Sequence, residues 1–587
     1  MLAAVKDLGQ LVIEKEGRRL LDVLVKDPNG GGNYQHVVTI KLREVNGAGF
    51  VFCGVEREEF DSAKVQRYLY RKGPARGADY SPTAKISGKP EGTFERKILG
   101  WFRVLDDKEI SFTDQERQFL QSIRNELDKN GAEIRRAILN YRDEIPKREG
   151  IILTVKLCVG GTWQYVGDFQ LFRRVLQDLV ERKDRSIYAS DKVCSLCGKL
   201  NNTVLGGVNT YTFYTLDKPG FITGYFDKKR AWRNFPTCFQ CKMALEEGKK
   251  YIESNLAFKF YGISYYLIPK SLLGQHAPQE EILDILVDSK KIISLKQKEI
   301  DRITDDEEDI LAVLKDASDM VALSLLFLKK QNAAERILLL IEDVLPSRLR
   351  RIFAAKAAVD EATGANFTFR CFRTFFGKSD SDKRDFDLNG YFLDLTDRVF
   401  KDRPVNYHFL LRFLMKKIRE EFVADRYFAF AVNDGLMSVL FLEDLKLIDL
   451  EVEDVEESAL EGLFAKYGPV FQSPLKRGLF LLGVLTELLL RKQYSSRGSR
   501  PFVKTLKGLK MGEKDFKGLL PRVQNKLEEY DSFDKGKRLL AREAAAYLLR
   551  AGEGWKMSVD EMNFCFAAGM NLADEVAEKI YGKQEVS

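Results

Sequence analysis

Hydrophobic positions recur with two different periods along the chain. Leu2–Glu16 repeats its apolar residues at helical spacing. His36–Leu42 (HVVTIKL) and Phe50–Val55 (FVFCGV) instead have the density and β-branching of strands, separated by a turn at Asn46–Gly49. Pro28–Asn33 (PNGGGN) predicts a loop ahead of the first strand. A helical stretch over Thr113–Tyr141 leads to a second β region. There Ile151–Val159 and Trp163–Phe169 flank Gly160-Gly161, a hairpin signal. Farther on the helical period takes over: Glu280–Leu314, Leu323–Gln331, Glu335–Val344 and Phe409–Glu421 are all read as helices. From Leu436 onward, Leu460–Tyr467, Gly478–Lys492, Asp515–Glu529, Lys537–Ala551 and Val559–Ile580 predict a helical bundle. The linker Gln493–Gly512 joins two of its members. The expected fold class is α+β: a mixed N-terminal half with an inserted four-cysteine lobe, then a mainly helical C-terminal half ending in a bundle. The corresponding domains are 1–185, 186–250, 251–435 and 436–587.

Hydrophobic residues make up 45% of the 587 and charged residues 31%, a globular balance that excludes wholesale disorder. The longest apolar run, Gly478–Leu490, is too short to span a bilayer and carries Glu487. The first residues mix both charges and lack a clean apolar core, so no secretory signal is read and a cytoplasmic protein without a membrane partner is expected.

Four of the eight cysteines form two pairs, Cys194-Ser-Leu-Cys197 and Cys238-Phe-Gln-Cys241. A CxxC knuckle lets two thiolates reach one ion from a tight turn. Two knuckles complete a tetrahedral set that suits Zn²⁺ and leaves no open position, so the expected zinc site is structural. Residues 198–237 separate the knuckles, more than the roughly 15–20 of common zinc ribbons, and this insert must itself fold, as a hairpin or tongue. An iron–sulfur cluster or four unrelated core cysteines are the competing readings. Cys53, Cys158, Cys371 and Cys565 are scattered in apolar surroundings and are expected in the core.

Charge is clustered. The chain carries a formal +7, whereas Lys64–Arg103 holds ten basic and three acidic residues, and Arg491–Arg542 holds fifteen and six. The remainder is therefore net acidic, and the two windows have the composition of polyanion-binding surfaces. The competing reading is a set of solvated helix faces. The centre of the first window, Tyr68–Lys85, has two prolines and two glycines and predicts a loop. Within the insert, Tyr225–Arg233 (YFDKKRAWR) interleaves cations and aromatics. Lys228, Lys229, Arg230 and Arg233 are thus candidates for phosphate contact beside stacked bases, unless the aromatics pack under the lobe.

No catalytic signature emerges. His36, His276 and His408 are the only histidines, and none has a metal-spaced partner. Phe376-Gly377-Lys378-Ser379 resembles the end of a phosphate-binding loop, but Phe372 stands where its first glycine belongs. Gly47-Ala48-Gly49 lacks the third glycine of a dinucleotide fingerprint. A non-enzymatic protein is expected.

Several stretches together resemble one family: YLYRKGPARGADYSPTAKI, the VCSLCGK…PTCFQCK knuckles, GYFLDLTDRVFKDRPVNYHFLLRFLMKKIR (Gly390–Arg419), RPFVKTLKGLKMGEKDFKGLLPRVQNKLEEYD and DEMNFCFAAGMNLADEV. They are similar to the large subunit of the type I-B CRISPR surveillance complex, Cascade. The resemblance implies a non-catalytic subunit of a complex built on a guide RNA with backbone, handle-binding and small subunits. It would recognise the protospacer-adjacent motif (PAM) in duplex DNA, aid R-loop formation and recruit a separate helicase-nuclease, while base pairing reads the remaining sequence. It also implies that the C-terminal region is made separately as a small subunit, with Met437 as the candidate internal start and Met415 as the alternative.

In that light Lys64, Arg67, Arg71, Lys72, Arg76 and Lys85 become candidates for duplex DNA or the guide's 5′ handle. Arg491, Lys492, Arg497, Arg500, Lys504, Lys507 and Lys510 become candidates for the phosphates of the displaced single strand. A stand-alone zinc-ribbon nucleic-acid-binding protein is the main alternative. A metal-dependent nuclease and a scaffold binding only other subunits are the others.

Overall fold

A computed structural model describes residues 1–17, 20–45, 49–73, 77–86, 90–146, 148–185, 188–206, 208, 210–214, 227–261, 263–272, 283–284, 320–331, 334–377, 388–455, 458 and 460–582. The chain divides into two compact units, Met1–Ser254 with Lys330–Glu335, and Asn255–Lys329 with Arg336–Ser587.

In the first unit, helix α1 (Leu2–Lys15) precedes strands β1 (His36–Val45), β2 (Gly49–Glu59) and β3 (Thr83–Ile86). Helices α2 (Asp114–Lys129) and α3 (Gly131–Glu144) follow, then β4 (Ile151–Val159), β5 (Thr162–Tyr165) and α4 (Gln170–Arg185). The strands form one sheet in the order β2-β1-β4-β3, with β5 on β4. The β1–β4 pair is parallel and the other pairs are antiparallel. Alternate residues Val38, Ile40, Leu42, Leu153, Val155 and Leu157 enter a core shared with Leu120, Ile123 and Ile134 of the helices. The opposite face is closed at one end by Tyr68 and Tyr165, which pack on Val37 and Ile152.

Thr113–Tyr141 is two helices rather than one. Asn130 turns its amide back onto the Glu126 carbonyl and carboxylate, 2.8 Å each, and ends α2 there. The start of α2 follows its sequence signal, a reciprocal Thr113–Glu116 capping box. Cys53 is exposed, against expectation: β2 is the edge of the sheet, and residue 53 lies on its open face. Cys158, Cys371 and Cys565 are buried.

The remainder of this unit contains the short strands β6 (Tyr188–Ala189), β7 (Lys192–Val193), β8 (Leu200–Asn201) and β9 (Val204–Leu205), then helix α5 (Phe239–Asn255). β6 pairs with β9 and β7 with β8.

The second unit opens with a sheet ordered β10 (Ala257–Phe260), β11 (Ile263–Ser271), β12 (Val321–Gln331) and β13 (Ala334–Val344). Here the expected helices Leu323–Gln331 and Glu335–Val344 are strands. The run from Val321 to Leu328 is buried at every position, as a central strand requires, and a continuous apolar run carries no period by which helix and strand separate. Of the expected helix Glu280–Leu314, only residues 283 and 284 fall among those described, and the acidic run Asp305–Asp309 lies outside them.

Helices then follow in the order α6 (Pro346–Thr363), α7 (Arg370–Phe376), α8 (Asn389–Phe400), α9 (Tyr407–Ala424), α10 (Phe428–Asp444), α11 (Glu461–Lys466), α12 (Pro474–Arg497), α13 (Glu513–Glu529), α14 (Lys535–Arg550), α15 (Val559–Asn571) and α16 (Ala573–Tyr581). The centre of the bundle is α12, buried on almost every side between Leu475 and Leu490, with Lys476 paired to Glu561 at 3.5 Å and Arg477 to Glu461 at 2.7 Å inside it. Where α12 crosses α15, a Cβ on Gly483 would sit 2.1 Å from the Phe566 carbonyl oxygen, and one on Gly569 1.9 Å from that of Phe480. Only glycine admits that approach. Val559–Ile580, read as one helix, breaks at Leu572 into α15 and α16. No helix among the described residues is long and apolar enough to cross a membrane.

Candidate metal centre and nucleic-acid interface

Cys194 and Cys197 lie on the turn after β7, and Cys238 and Cys241 at the start of α5. Gly198 takes a left-handed φ of 69°, which closes the first knuckle, and its N–H donates to the Cys194 carbonyl at 2.9 Å. The second strand of approach is fixed by Thr237, whose backbone exchanges hydrogen bonds with Leu205 of β9. This antiparallel bridge brings the insert back to the second knuckle, so the unusual spacing is spanned without separating the two pairs.

The four thiols all lie within 4.8 Å of one another, and Cys197 Sγ is 4.0 Å from Cys238 Sγ. A tetrahedral ion with metal–sulfur bonds of about 2.3 Å sets sulfurs roughly 3.8 Å apart. A disulfide needs about 2.05 Å, so the grouping fits a tetrahedral ion such as zinc and not a pair of bridges. Backbone N–H groups of Leu196 and Cys238 point at Cys194 Sγ, at 3.4 and 3.3 Å, as donors to a thiolate would. A hydrogen bond from Cys241 holds the Cys238 thiol below its ordinary value against the opposing effect of burial.

The centre is fixed to the N-terminal helix. A Cβ on Gly9 would lie 1.8 Å from the Ala244 carbonyl oxygen, and one on Gly248 1.9 Å from that of Val5. Thus α1 crosses α5 backbone to backbone, one to two turns beyond Cys241.

The first basic window is largely drawn into the fold. Tyr68, Leu69, Tyr70, Tyr80, Ser81 and Thr83 are buried, so the expected loop is pinned at both ends. Ser81 and Thr83 hydroxyls donate to the Leu69 and Tyr68 carbonyls, both at 2.6 Å. Arg67 makes a forked pair with Asp168, with contacts of 2.9–3.1 Å. Arg71 donates to the Leu24 carbonyl at 3.0 Å, and Lys64 pairs with Asp61 at 3.2 Å. Lys85 lies over the rings of Tyr34 and Tyr70, 4.5 and 5.3 Å from their centroids, and burial pulls its pKa down. Lys97 donates to the buried carboxylate of Asp79 at 3.0 Å. Lys72 remains exposed, and Arg76 lies outside the described residues.

At the insert, Lys228–Arg233 is a short 3₁₀ helix. Ala231 is buried and Trp232 half-buried, with Lys192 and Arg233 at 5.3 and 5.6 Å from its ring centroid. Arg230 is exposed beside Asp227. The side chains of Lys228 and Lys229, with Tyr225 and Phe226, lie outside the described residues.

The second window faces water. Arg491, Arg497, Lys504, Lys507 and Lys510 are exposed, and Lys492 and Arg500 half-buried. Arg491 pairs with Glu487 and Asp574, Arg500 with Asp425, and Lys507 with Asp515. Arg497 lies 4.9 Å from the Tyr530 ring centroid. Among the described residues, Lys492, Lys504 and Lys510 take part in no ion pair.

Arg491, Arg500 and Lys504 come together on a groove of about 720 Å³, which Arg426 and Tyr494 also line. The sequence reading passed over these last two. Tyr494 stands between Lys492 and Arg497 and was legible as an aromatic among cations, whereas Arg426 lies far outside the basic window. Met437 and Met415 are both buried in mid-helix, in α10 and α9. His36 bonds Glu149 at 2.6 Å, His408 is exposed, and His276 falls outside the described residues.

Three profiles of the CRISPR-associated protein TM1802 family match in order: its N-terminal domain over residues 1–178, its central domain over 191–344 and its C-terminal domain over 367–584. No curated protein matches the sequence.

Proposed function

The chain belongs to the CRISPR-associated protein TM1802 family, the large-subunit family of type I-B surveillance complexes, and from that premise we propose that it acts as the non-catalytic, DNA-contacting subunit of an RNA-guided complex. Its work is to bind the PAM in duplex DNA, help open the duplex and hold the displaced strand for a helicase-nuclease supplied in trans. The observation that supports this most, beside the family match, is that Lys492, Lys504 and Lys510 take part in no ion pair among the described residues. Guide pairing supplies sequence specificity, so the protein needs backbone contacts and a short motif reading only.

Cys194, Cys197, Cys238 and Cys241 hold a zinc ion whose role is to close the insert onto α5. With four thiolates in place no coordination position is left for water or substrate, so the ion supplies folding energy. Lys72 is the candidate of the first window best placed to meet nucleic acid, since its neighbours are engaged within the fold. Lys492, Lys504 and Lys510 are its counterparts in the second window. A separately made small subunit starting at Met437 would begin inside α10 and lack buried Ala431, Val432 and Leu436.

Mild affinity purification from the native host, with sequencing of bound RNA, tests the reading. Uniform short RNAs bearing a repeat-derived handle, with several protein partners, are expected. A smaller band containing only C-terminal peptides would accompany them if the internal start is used. Recovery of the chain alone, or with heterogeneous RNA, would defeat the guided reading in favour of a stand-alone zinc-ribbon protein.

A further inference from the structure

The groove at the end of α12 differs from a simple phosphate track. Arg426 pairs with Glu421 at 3.6 Å, Arg491 with Glu487 and Asp574, and Arg500 with Asp425. Of the lining cations only Lys504 has no ion pair among the described residues. Asp425, Glu487 and Asp574 also line the groove, so a bare anion meets nearly balanced charge there.

What the groove does offer is apolar and aromatic surface. Leu490 and Met570 are buried in its lining, Phe422 and Val503 half-buried, and Tyr494 is 61% exposed. Next to Arg426, Tyr427 on the turn and Phe430 at the start of α10 are 65% and 72% exposed, with ring centroids 6.4 Å apart. Aromatic rings held this far into water contribute little to the core. Set among arginines and a lysine, they have the composition on which unpaired bases stack. The volume, about 720 Å³, lies in the range of roughly 300–1,000 Å³ that takes ligands of such a size.

We propose that this groove binds single-stranded nucleic acid through its bases, which pack on Tyr494 and the apolar lining while Arg426, Arg500 and Lys504 meet phosphates at the rim. The carboxylates of Asp425, Glu487 and Asp574 then accept hydrogen bonds from base amino groups, as carboxylates do from cytosine. This inference rests on the reading of the chain as a DNA-contacting subunit. It changes that reading at one site, from a track of seven phosphate-binding cations to a stacking platform with few phosphate contacts.

The test is fluorescence anisotropy of the full chain with a mixed-sequence single-stranded DNA and an abasic strand of equal length, at several salt concentrations. The intact strand is expected to bind about tenfold or more tighter, given the usual strength of base–aromatic stacking. The slope of log K against log salt is expected to be shallow, about −1 to −2. Tyr494→Ala should remove most of the preference without changing the melting temperature, since the ring is largely in water, and Tyr494→Phe should keep it. Equal binding of both strands with a slope near about −5 would overturn the inference and leave the phosphate track, and the proposed function, standing. A preference for the intact strand that survives Tyr494→Ala would place the bases elsewhere and overturn it too. No binding of either strand at low salt would sink both readings.

Discussion

The two basic windows look alike as sequence, yet the fold spends their charges in opposite ways. Between Lys64 and Lys97, Arg67 is forked on Asp168, Arg71 held on a backbone carbonyl, Lys85 over two tyrosine rings and Lys97 on a carboxylate only 4% exposed. Those cations hold a loop of small elements in place. Between Arg491 and Lys510 the bundle is already held by α12, whose own buried cations Lys476 and Arg477 are paired with Glu561 and Glu461. Although Arg491, Arg500 and Lys507 find carboxylates, Lys492, Lys504 and Lys510 take part in no ion pair among the described residues. A high local charge therefore marks two different things: polar clamping of a connecting segment, and lysines without an ion pair beside a helical core.

The comparison breaks most severely at the cysteines. Cys194→Ser combined with Cys197→Ser, or removal of the ion by a chelator, should melt the lobe, because structural zinc in finger-sized domains is worth of order 10 kcal/mol. Zinc should fall from one per chain to none while the unfolding transition of the helical bundle stays in place. Unchanged zinc content and an unchanged melting profile would remove the metal assignment.

A smaller loss is expected at Asp79→Ala. Its carboxylate accepts from Lys97 Nζ at 3.0 Å and from the Gly73 N–H at 2.8 Å. Deleting it removes a buried acceptor shared by both donors and should cost about 2–4 kcal/mol, read by denaturant unfolding. If the cost were within about 0.5 kcal/mol, the first window would be no more internal than the second.

The first unit should also show an acid limb. Glu335 is buried, which raises its pKa, but the hydrogen bond from Lys249 at 2.8 Å and that from the Thr212 N–H at 2.9 Å outweigh burial and hold it below the usual carboxylate value. A depressed folded value means stability that is fully present above the unfolded value of about 4.3 and is lost as pH falls through the folded one. Glu335→Gln should lower stability at neutral pH and flatten that limb in pH-dependent melts. An unaltered limb in the variant would assign the acid sensitivity to other carboxylates.

The smallest effect on stability, and the sharpest contrast, belongs to Lys492, Lys504 and Lys510. Changing each of them to Ala should shift stability by no more than about 0.5 kcal/mol. The salt slope for single-stranded DNA should shrink by about 0.7 for each that meets a phosphate.

Much of this was legible along the chain because the signals are local. The cysteine knuckles need only their spacing, and the helices of the bundle start at side-chain caps such as Ser473, Asp534 and Ser558, each accepting from a backbone N–H of its own first turn. The α+β organisation, the four-cysteine lobe and the family resemblance all follow from such short-range patterns. Leu323–Gln331, read as a helix, is a strand for the converse reason. An unbroken apolar run states that it is buried but not in which conformation, and the choice was made by β11, which supplies the hydrogen-bonding edge.

What the sequence determined by itself, then, is chemistry held within a few residues: which thiols pair into knuckles, which stretches of the C-terminal part are helical, and where charge accumulates. The tertiary structure alone decided what that charge is for. Asp168 is remote in sequence from Arg67, Asp425 from Arg500, and Arg426 from Tyr494, and no local period records such meetings. A cation becomes a clamp or a contact according to the partner that folding brings beside it, because the energy of an ion pair depends on distance and burial and not on position along the chain.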